Sequence, residues 1–172
     1  GIRYVPGIDR RELERTAALC QKGDRMIAAH MRSDAGEVLD AAREFLDVGE
    51  TLGLSTQVSH IGSMAGFGQM EDFLALVDRY HMNGLRVSCD CYPYYAFSTT
   101  LGSATYDPGW LERYHCDYDV IELSQGKYKG RRCTKEIFDE VRRDEEGMSV
   151  MRTLGHNMAW LLKCIAAGQA AG

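Results

Sequence analysis

The chain has 172 residues, of which 45% are hydrophobic and 26% charged, and acidic residues exceed basic ones by five (25 against 20). This composition predicts a soluble, folded domain and argues against a disordered chain or, because the balance is acidic, a nucleic-acid binder. No apolar run is long enough to span a bilayer and no signal-peptide pattern opens the chain, so no membrane partner is expected.

The cysteines indicate the cellular compartment of the protein, and the first residue indicates whether the chain is part of a longer one. No C-x-x-C pair occurs among the six cysteines, which argues against a structural zinc site and favours reduced thiols. We therefore expect a cytoplasmic protein. The chain opens on Gly1 rather than on methionine, and we expect it to be either cut from something longer or processed.

Helical and strand patterns alternate along the first ninety residues. Apolar residues recur at three- and four-residue steps in the helical segments, and short apolar or β-branched runs lie between them. The predicted strands are 2–5, 26–30, 55–60 and 85–90, and the predicted helices are 9–23, 35–51 and 70–82. Asp9 is suited to cap the first helix, and Gly53 and Gly84 stand where the later helices would end.

Three of the predicted strands end on residues that can carry chemistry, and they do so at a fixed period. "MIAAH" ends on His30, "STQVSH" on His60 and "LRVSCD" on Asp90, each thirty residues after the one before. Strand, helix and strand at this period form the βαβ unit of a parallel sheet, which occurs in open doubly wound sheets and in (β/α)8 barrels. No G-x-G-x-x-G follows a strand, which weakens the dinucleotide-binding alternative.

The carboxyl ends of neighbouring parallel strands meet at one edge, so His30 and His60 are expected close together. Two histidines in register are candidates for a metal-binding or acid–base pair, and a structural role stays open for each. Asp90 could bind metal, orient a histidine or cap a loop.

The segments "GIRYVPG", "AAHMRSD", "QVSHIG" and "DCYPYYAFST" occur in this order, and "GKYKGRRCTKEIF" follows them. Together they resemble the N-acyl-D-amino-acid deacylases (D-aminoacylases) of the metal-dependent amidohydrolase superfamily. The resemblance implies an α/β fold, a partial (β/α)8 TIM barrel of three to four parallel βα units with an irregular and helical insertion after the last strand. The implied parts are the partial barrel at 1–100, an insertion or lid at 101–148, and a divergent C-terminal helix and tail at 149–172.

The resemblance also implies a metal site and a reaction. His30 and His60 match the family's two mid-barrel histidine ligands of Zn²⁺, and Asp90 would support them. The implied reaction hydrolyses the amide bond of a small N-acyl-D-amino acid, giving a D-amino acid and a carboxylic acid. Zinc would polarise the acyl oxygen and acidify a water, and a carboxylate would pass the proton to the leaving amine.

Four further residues are implied on the substrate side of the site. Tyr4, Tyr92 and Ser98 match positions that line the carboxylate or acyl end of the substrate, and their hydroxyls can donate to a carboxylate. Arg32 could contact substrate or form a structural ion pair with an acidic neighbour.

The chain departs from the family pattern at three points. It has no H-x-H pair for the first strand, no segment matching the last strand with its catalytic aspartate, and Gly62 where many relatives have a basic residue. We therefore expect the catalytic aspartate to lie outside this chain and the chain alone to be inactive. The alternatives are a cyclic amidohydrolase of dihydroorotase or hydantoinase type and a non-catalytic metal-binding half-barrel. Open sheet edges predict self-association.

Overall fold

The computed structural model of the chain describes residues 2–5 and 7–143. It divides into two compact units, the first ending at Phe97 and the second beginning at Ser98. The first unit contains α1 (Arg10–Ala18), β1 (Met26–Ala29), α2 (Val38–Leu52), β2 (Ser55–Val58), α3 (Ile61–Ala65), α4 (Met70–Met82) and β3 (Val87–Cys89). The second unit contains α5 (Trp110–Tyr114) and α6 (Lys135–Arg142). No helix within this described part is long and apolar enough to cross a membrane.

The three strands form a parallel sheet in the order β1-β2-β3. Met26 pairs with Ser55, and Thr56 pairs with Val87, so each strand repeats its neighbour about one βα unit later in the chain. The parallel, adjacent arrangement that the thirty-residue period predicts is therefore confirmed for these strands. The result is a mixed helix and strand unit with a small parallel sheet, consistent with a partial α/β fold.

The helices bury one face of the sheet and leave the other more open. Successive side chains of a strand point to opposite faces. Ile27, Thr56 and Val58 are buried within the core that the helices share, whereas Ala28 and Ser88, on the other face, are exposed. The open face thus carries small and polar side chains.

Local signals in the sequence explain where the main helices begin and end. The Asp9 carboxylate accepts a hydrogen bond from the Glu12 amide at 2.8 Å, which caps α1 as expected. Gly53 adopts the left-handed conformation (φ 63°) that ends α2, a conformation costly for residues with a Cβ. On α2, Phe45 and Leu46 face the core, as the apolar periodicity predicts.

The strand predicted for residues 2–5 is wrong. Ile2–Tyr4 forms a 3-10 turn, in which the Val5 amide bonds to the Ile2 carbonyl at 3.0 Å. The Ile2 amide donates to the His30 carbonyl at 2.8 Å, which joins the turn to the end of β1. A ladder with β1 therefore does not form.

The second unit is held together by aromatic packing. The rings of Trp110 and Phe138 stack with centroids 5.6 Å apart, and Tyr106 and Tyr118 meet the Trp110 ring edge to face. Tyr106, Trp110 and Tyr118 thus pack together with Phe138 in the core of this unit. The predicted C-terminal helix and tail at 149–172 lies outside the described residues.

Candidate metal site

His30 and His60 lie side by side at the carboxyl ends of β1 and β2. The Nδ1 atom of His30 and the Nε2 atom of His60 are 2.6 Å apart, a hydrogen bond in which the tautomer decides the donor. The ring centroids are 4.6 Å apart and the ring planes are inclined by 50°. The structure therefore brings together the two residues that the period places at one rim.

The surroundings of His30 keep its imidazole neutral. Burial, followed by the nearby His60 and Arg3, lowers the pKa of His30 from 6.5 to about 4. Its second ring nitrogen, Nε2, is buried and has no hydrogen-bond partner within the described part of the chain. A neutral ring keeps a lone pair available, which is the form in which histidine binds metal.

His60 follows β2 in an unusual backbone conformation. Its φ and ψ angles are 43° and 53°, in the left-handed region that costs a residue with a Cβ about 1–3 kcal/mol. The Asp90 carboxylate holds this turn, because its Oδ1 accepts the His60 amide hydrogen bond at 2.6 Å. Gln57 donates to the other carboxylate oxygen at 2.8 Å. The two bonds, that from His60 first, lower the pKa of Asp90, so it is charged at neutral pH.

The three predicted hydroxyl contacts fall in different surroundings. Tyr4 is exposed, with its ring centroid 5.1 Å from that of His30, so its phenol lies near the histidine pair. Tyr92 is partly exposed and comes two residues after Asp90, where the chain leaves the sheet. Ser98 is exposed and belongs to the second unit. Substrate contact stays a prediction for all three residues.

Arg32 forms the structural ion pair rather than pointing freely into the site. Its Nε donates to Glu44 at 2.8 Å and its Nη2 donates to the same carboxylate at 2.7 Å. Nη2 also donates to the Ile8 carbonyl at 2.8 Å, which ties the loop before α1 to α2. Of the two roles that the sequence allows for Arg32, this geometry favours the structural ion pair rather than the substrate contact.

A second ion pair, near the histidines, is not predicted by the sequence. Arg3 and Asp34 meet at 2.6 Å, and both side chains are only 10% exposed. The Arg3 charge disfavours protonation of His30, while Asp34 acts in the opposite direction. No local pattern relates two residues thirty-one positions apart, although Arg3 lies within "GIRYVPG" and Asp34 ends "AAHMRSD".

The two histidines fit a metal ion as part of a ligand set. Two nitrogens bound to one tetrahedral Zn²⁺ at about 2.0–2.1 Å would lie roughly 3.4 Å apart, so the rings need separate by less than about 1 Å. Catalytic zinc sites use three protein ligands and structural sites four. Among the described residues no group of three or more His, Cys, Asp or Glu side chains is placed to hold a metal.

The fold of the chain is similar to that of several solved structures. No protein-family model and no curated protein matches the chain. Four solved structures match it, all of D-aminoacylases or of an N-acyl-D-glutamate deacylase. The deacylase, from Bordetella bronchiseptica and complexed with zinc and a phosphonate inhibitor, is 27% identical with a TM-score of 0.55, over 73% of this chain and 26% of that one.

Two D-aminoacylase structures show the same fold. One is a D-aminoacylase mutant in complex with CuCl2, and it is 22% identical to this chain. The other is a D-aminoacylase structure that concerns the role of the binuclear metal centre, and it is 21% identical to this chain. Each has a TM-score of 0.54 over 72% of this chain and 25% of the other. The chain thus spans about a quarter of the length of these enzymes.

The resemblance predicted from the motifs is confirmed for an internal part of such enzymes. In fold, the chain is similar to part of the N-acyl-D-glutamate deacylase, over 73% of this chain. More narrowly, the solved structures that it resembles are D-aminoacylases and their N-acyl-D-glutamate relative.

Proposed function

We propose that this chain supplies two metal-ligand histidines to a zinc-dependent amidohydrolase that hydrolyses N-acyl-D-amino acids. The observation that carries the proposal is the 2.6 Å approach of His30 Nδ1 to His60 Nε2 at the carboxyl ends of adjacent parallel strands. Parallel βα units that present ligands at this edge are typical of (β/α)8 barrels. The proposal therefore includes a barrel of which these units are a part, acting on a small substrate in the cytoplasm.

The residues of this chain have distinct parts in the proposed site. His30 and His60 would hold the ion through the two facing nitrogens. Zinc, when bound, would supply Lewis-acid polarisation of the amide carbonyl and would acidify a water molecule. His30 stays neutral at working pH because burial disfavours its protonated form. Tyr4, whose ring lies next to His30, can donate its phenol hydrogen to the acyl or carboxylate end of the substrate.

Asp90 is not placed to act as the general base. One of its carboxylate oxygens accepts the His60 amide and the other accepts Gln57, so both are already engaged in hydrogen bonds. Its low pKa also makes it a weak proton acceptor. The proposal therefore assigns proton transfer to a carboxylate beyond this chain, and it assigns Asp90 to support of His60.

The decisive experiment measures free amine release from N-acetyl-D-methionine and from its L counterpart. It compares the 172-residue chain with a longer polypeptide that joins this chain to the remaining strands of a barrel. We expect no enzyme-like turnover by the chain alone, because a missing general base costs about 10²–10⁴ in rate. The longer polypeptide should turn over the D form, and a chelator should abolish that activity.

The variants of the longer polypeptide separate the proposal from its alternatives. His60→Ala should abolish turnover, whereas His81→Ala, which removes an exposed histidine on α4, should not. Turnover of dihydroorotate or a hydantoin instead of N-acyl amino acids would assign the cyclic amidohydrolase. Zinc binding without any turnover would assign a metal-binding module, and chelator-resistant turnover by the chain alone would refute the proposed chemistry.

A further inference from the structure

The open face of the sheet carries three polar side chains joined end to end, here called the polar row: Ser88, Gln57 and Asp90. The Ser88 hydroxyl donates to Gln57 Oε1, and Gln57 Nε2 donates to Asp90 Oδ2 at 2.8 Å. Asp90 Oδ1 then accepts the His60 amide at 2.6 Å. Sheet pairing sets the row in place, because Gln57 and Ser88 are direct partners of β2 and β3.

The chemistry of the row allows only one direction of hydrogen bonding. A carboxylate only accepts, so Gln57 must turn its NH₂ group towards Asp90 and its carbonyl oxygen towards Ser88. The serine hydroxyl, which can rotate, then completes the row as a donor. Each member thus fixes the orientation of the next, and the last fixed group is the backbone amide of His60.

His60 is the residue whose placement depends most on such support. Its left-handed backbone is unfavourable and persists only where the surroundings determine it. The adjoining Ile61 amide also bonds to the Asp90 carbonyl at 2.9 Å, so Asp90 holds both sides of the turn. A His60 residue released into the extended conformation would carry its imidazole away from His30.

We infer that Gln57 and Ser88 are positioning residues, which act through Asp90 to hold His60 Nε2 opposite His30 Nδ1. The inference deepens the proposed function and rests on it for the role of the histidine pair. Asp90 and Ser88 are exposed, and exposed polar contacts add little to the stability of the fold. The row therefore acts on local geometry rather than on folding.

The test uses the full 172-residue chain and two readouts on the same samples. The first, without metal, is the NMR position and hydrogen-exchange rate of the His60 amide, which is shifted and slowed while it donates to a carboxylate. The second is zinc affinity by calorimetric titration. The variants are Gln57→Leu, Ser88→Ala and Ser88→Thr, and the matched control is Ser55→Ala, a hydroxyl of β2 on the same face as Gln57 but outside the row.

Gln57→Leu should move the His60 amide signal and weaken zinc binding about tenfold, the usual effect of losing an outer-shell partner. Ser88→Ala should act in the same direction by about threefold, since it lies one bond further from the ligand. Ser88→Thr should restore both readouts because it restores the hydroxyl. Ser55→Ala should change neither, and all four variants should unfold within a few degrees of the wild type.

An unchanged His60 amide in Gln57→Leu and Ser88→Ala would overturn the inference, as would a failure of Ser88→Thr to restore it. An equal effect from Ser55→Ala would also overturn it, because the row would then be no more than part of the sheet surface. If the wild-type chain binds no zinc, the proposed function fails, while the amide readout still decides whether the row holds His60. Should Gln57→Leu not fold, Ser88→Ala and its rescue by Ser88→Thr decide between the two outcomes.

Discussion

His30 Nδ1 faces His60 Nε2 at 2.6 Å, although the two residues are thirty positions apart in the chain. The contact arises because each histidine closely follows one strand of a parallel pair. The contact bears on how tightly the isolated chain binds a metal ion. The isolated chain should bind zinc weakly, because two histidine ligands are fewer than the three or four of established sites.

Calorimetric zinc titration tests this prediction. Affinity should fall further in His30→Ala and in His60→Ala, while His81→Ala, an exposed histidine at the end of α4, serves as the control. Tight stoichiometric binding that survives loss of both His30 and His60 would contradict the assignment of these residues as ligands.

The lowered pKa of His30 predicts how stability depends on pH in the metal-free chain. Burial lowers this pKa to about 4, against an ordinary value near 6.5 in an unfolded chain. Between these values the unfolded state binds more protons than the folded state, so stability rises with pH. The contribution is therefore complete above about pH 6.5 and is lost as the pH falls towards about 4.

Urea unfolding at about pH 7 and at about pH 4.5 measures this change in the free energy of unfolding, because these two pH values span most of the range between the two pKa values of His30. The wild type should lose more stability between the two pH values than His30→Gln, which has no group that titrates at that position. Equal losses in the wild type and His30→Gln would show that His30 is not held neutral.

Arg32→Ala should act mainly on stability. The guanidinium makes a two-point contact with Glu44 and a further bond to the Ile8 carbonyl, and both partners of the ion pair are largely shielded. Removing it should cost about 1.5–3 kcal/mol, the range for hydrogen bonds to charged groups. The matched control is Arg43→Ala, whose exposed pair with Asp40 should contribute almost nothing.

Thermal unfolding of the two arginine variants checks the comparison. Equal melting temperatures for Arg32→Ala and Arg43→Ala would show that the Glu44 contact is not structural. If Arg32→Ala in the longer polypeptide instead raised KM and left stability unchanged, Arg32 would be assigned to substrate contact.

Gly49→Ala should be strongly destabilising for a reason visible only in the packing of α2 on β2. A Cβ at Gly49 would lie 2.0 Å from Thr56 Oγ1 and 3.2 Å from Thr56 Cβ. Thr56 is fully buried and β-branched, so it cannot rotate away freely. We expect a loss of about 1–3 kcal/mol, as for overpacked cores. Gly36→Ala, with open space at its Cβ, should change stability little, and equal unfolding midpoints would contradict the packing.

The two outer strands predict self-association. The order β1-β2-β3 leaves β1 and β3 at the edges of the described sheet, and unpaired edges offer backbone groups to another chain. Light scattering should show oligomers at high concentration. Ala28→Lys, which places a charge at an exposed position of β1, should reduce them. A wild-type chain that stays monomeric under these conditions would contradict the prediction.

Sequence patterns were sufficient for β1, β2 and β3, for α1, α2 and α4, and for the pairing of the two histidines. Helical periodicity located α2 and α4, because an amphipathic helix must repeat its apolar face every three to four residues. The thirty-residue step indicated a parallel sheet, since a strand, a crossover helix and the return to a parallel strand take about thirty residues or more. Adjacent parallel strands share one carboxyl edge, so His30 and His60 had to meet there.

The sequence could not decide which partner each polar side chain takes. Residues 2–5 formed a 3-10 turn because local backbone bonds compete with strand pairing. Arg32 turned to Glu44, and Asp90 turned to the His60 amide, although metal, substrate and solvent were all chemically possible.

The period therefore determined, by itself, which residues lie at the shared edge. The contacts between them were decided only in the tertiary structure, because a polar side chain can reach several partners and packing selects the one that lies within hydrogen-bond distance.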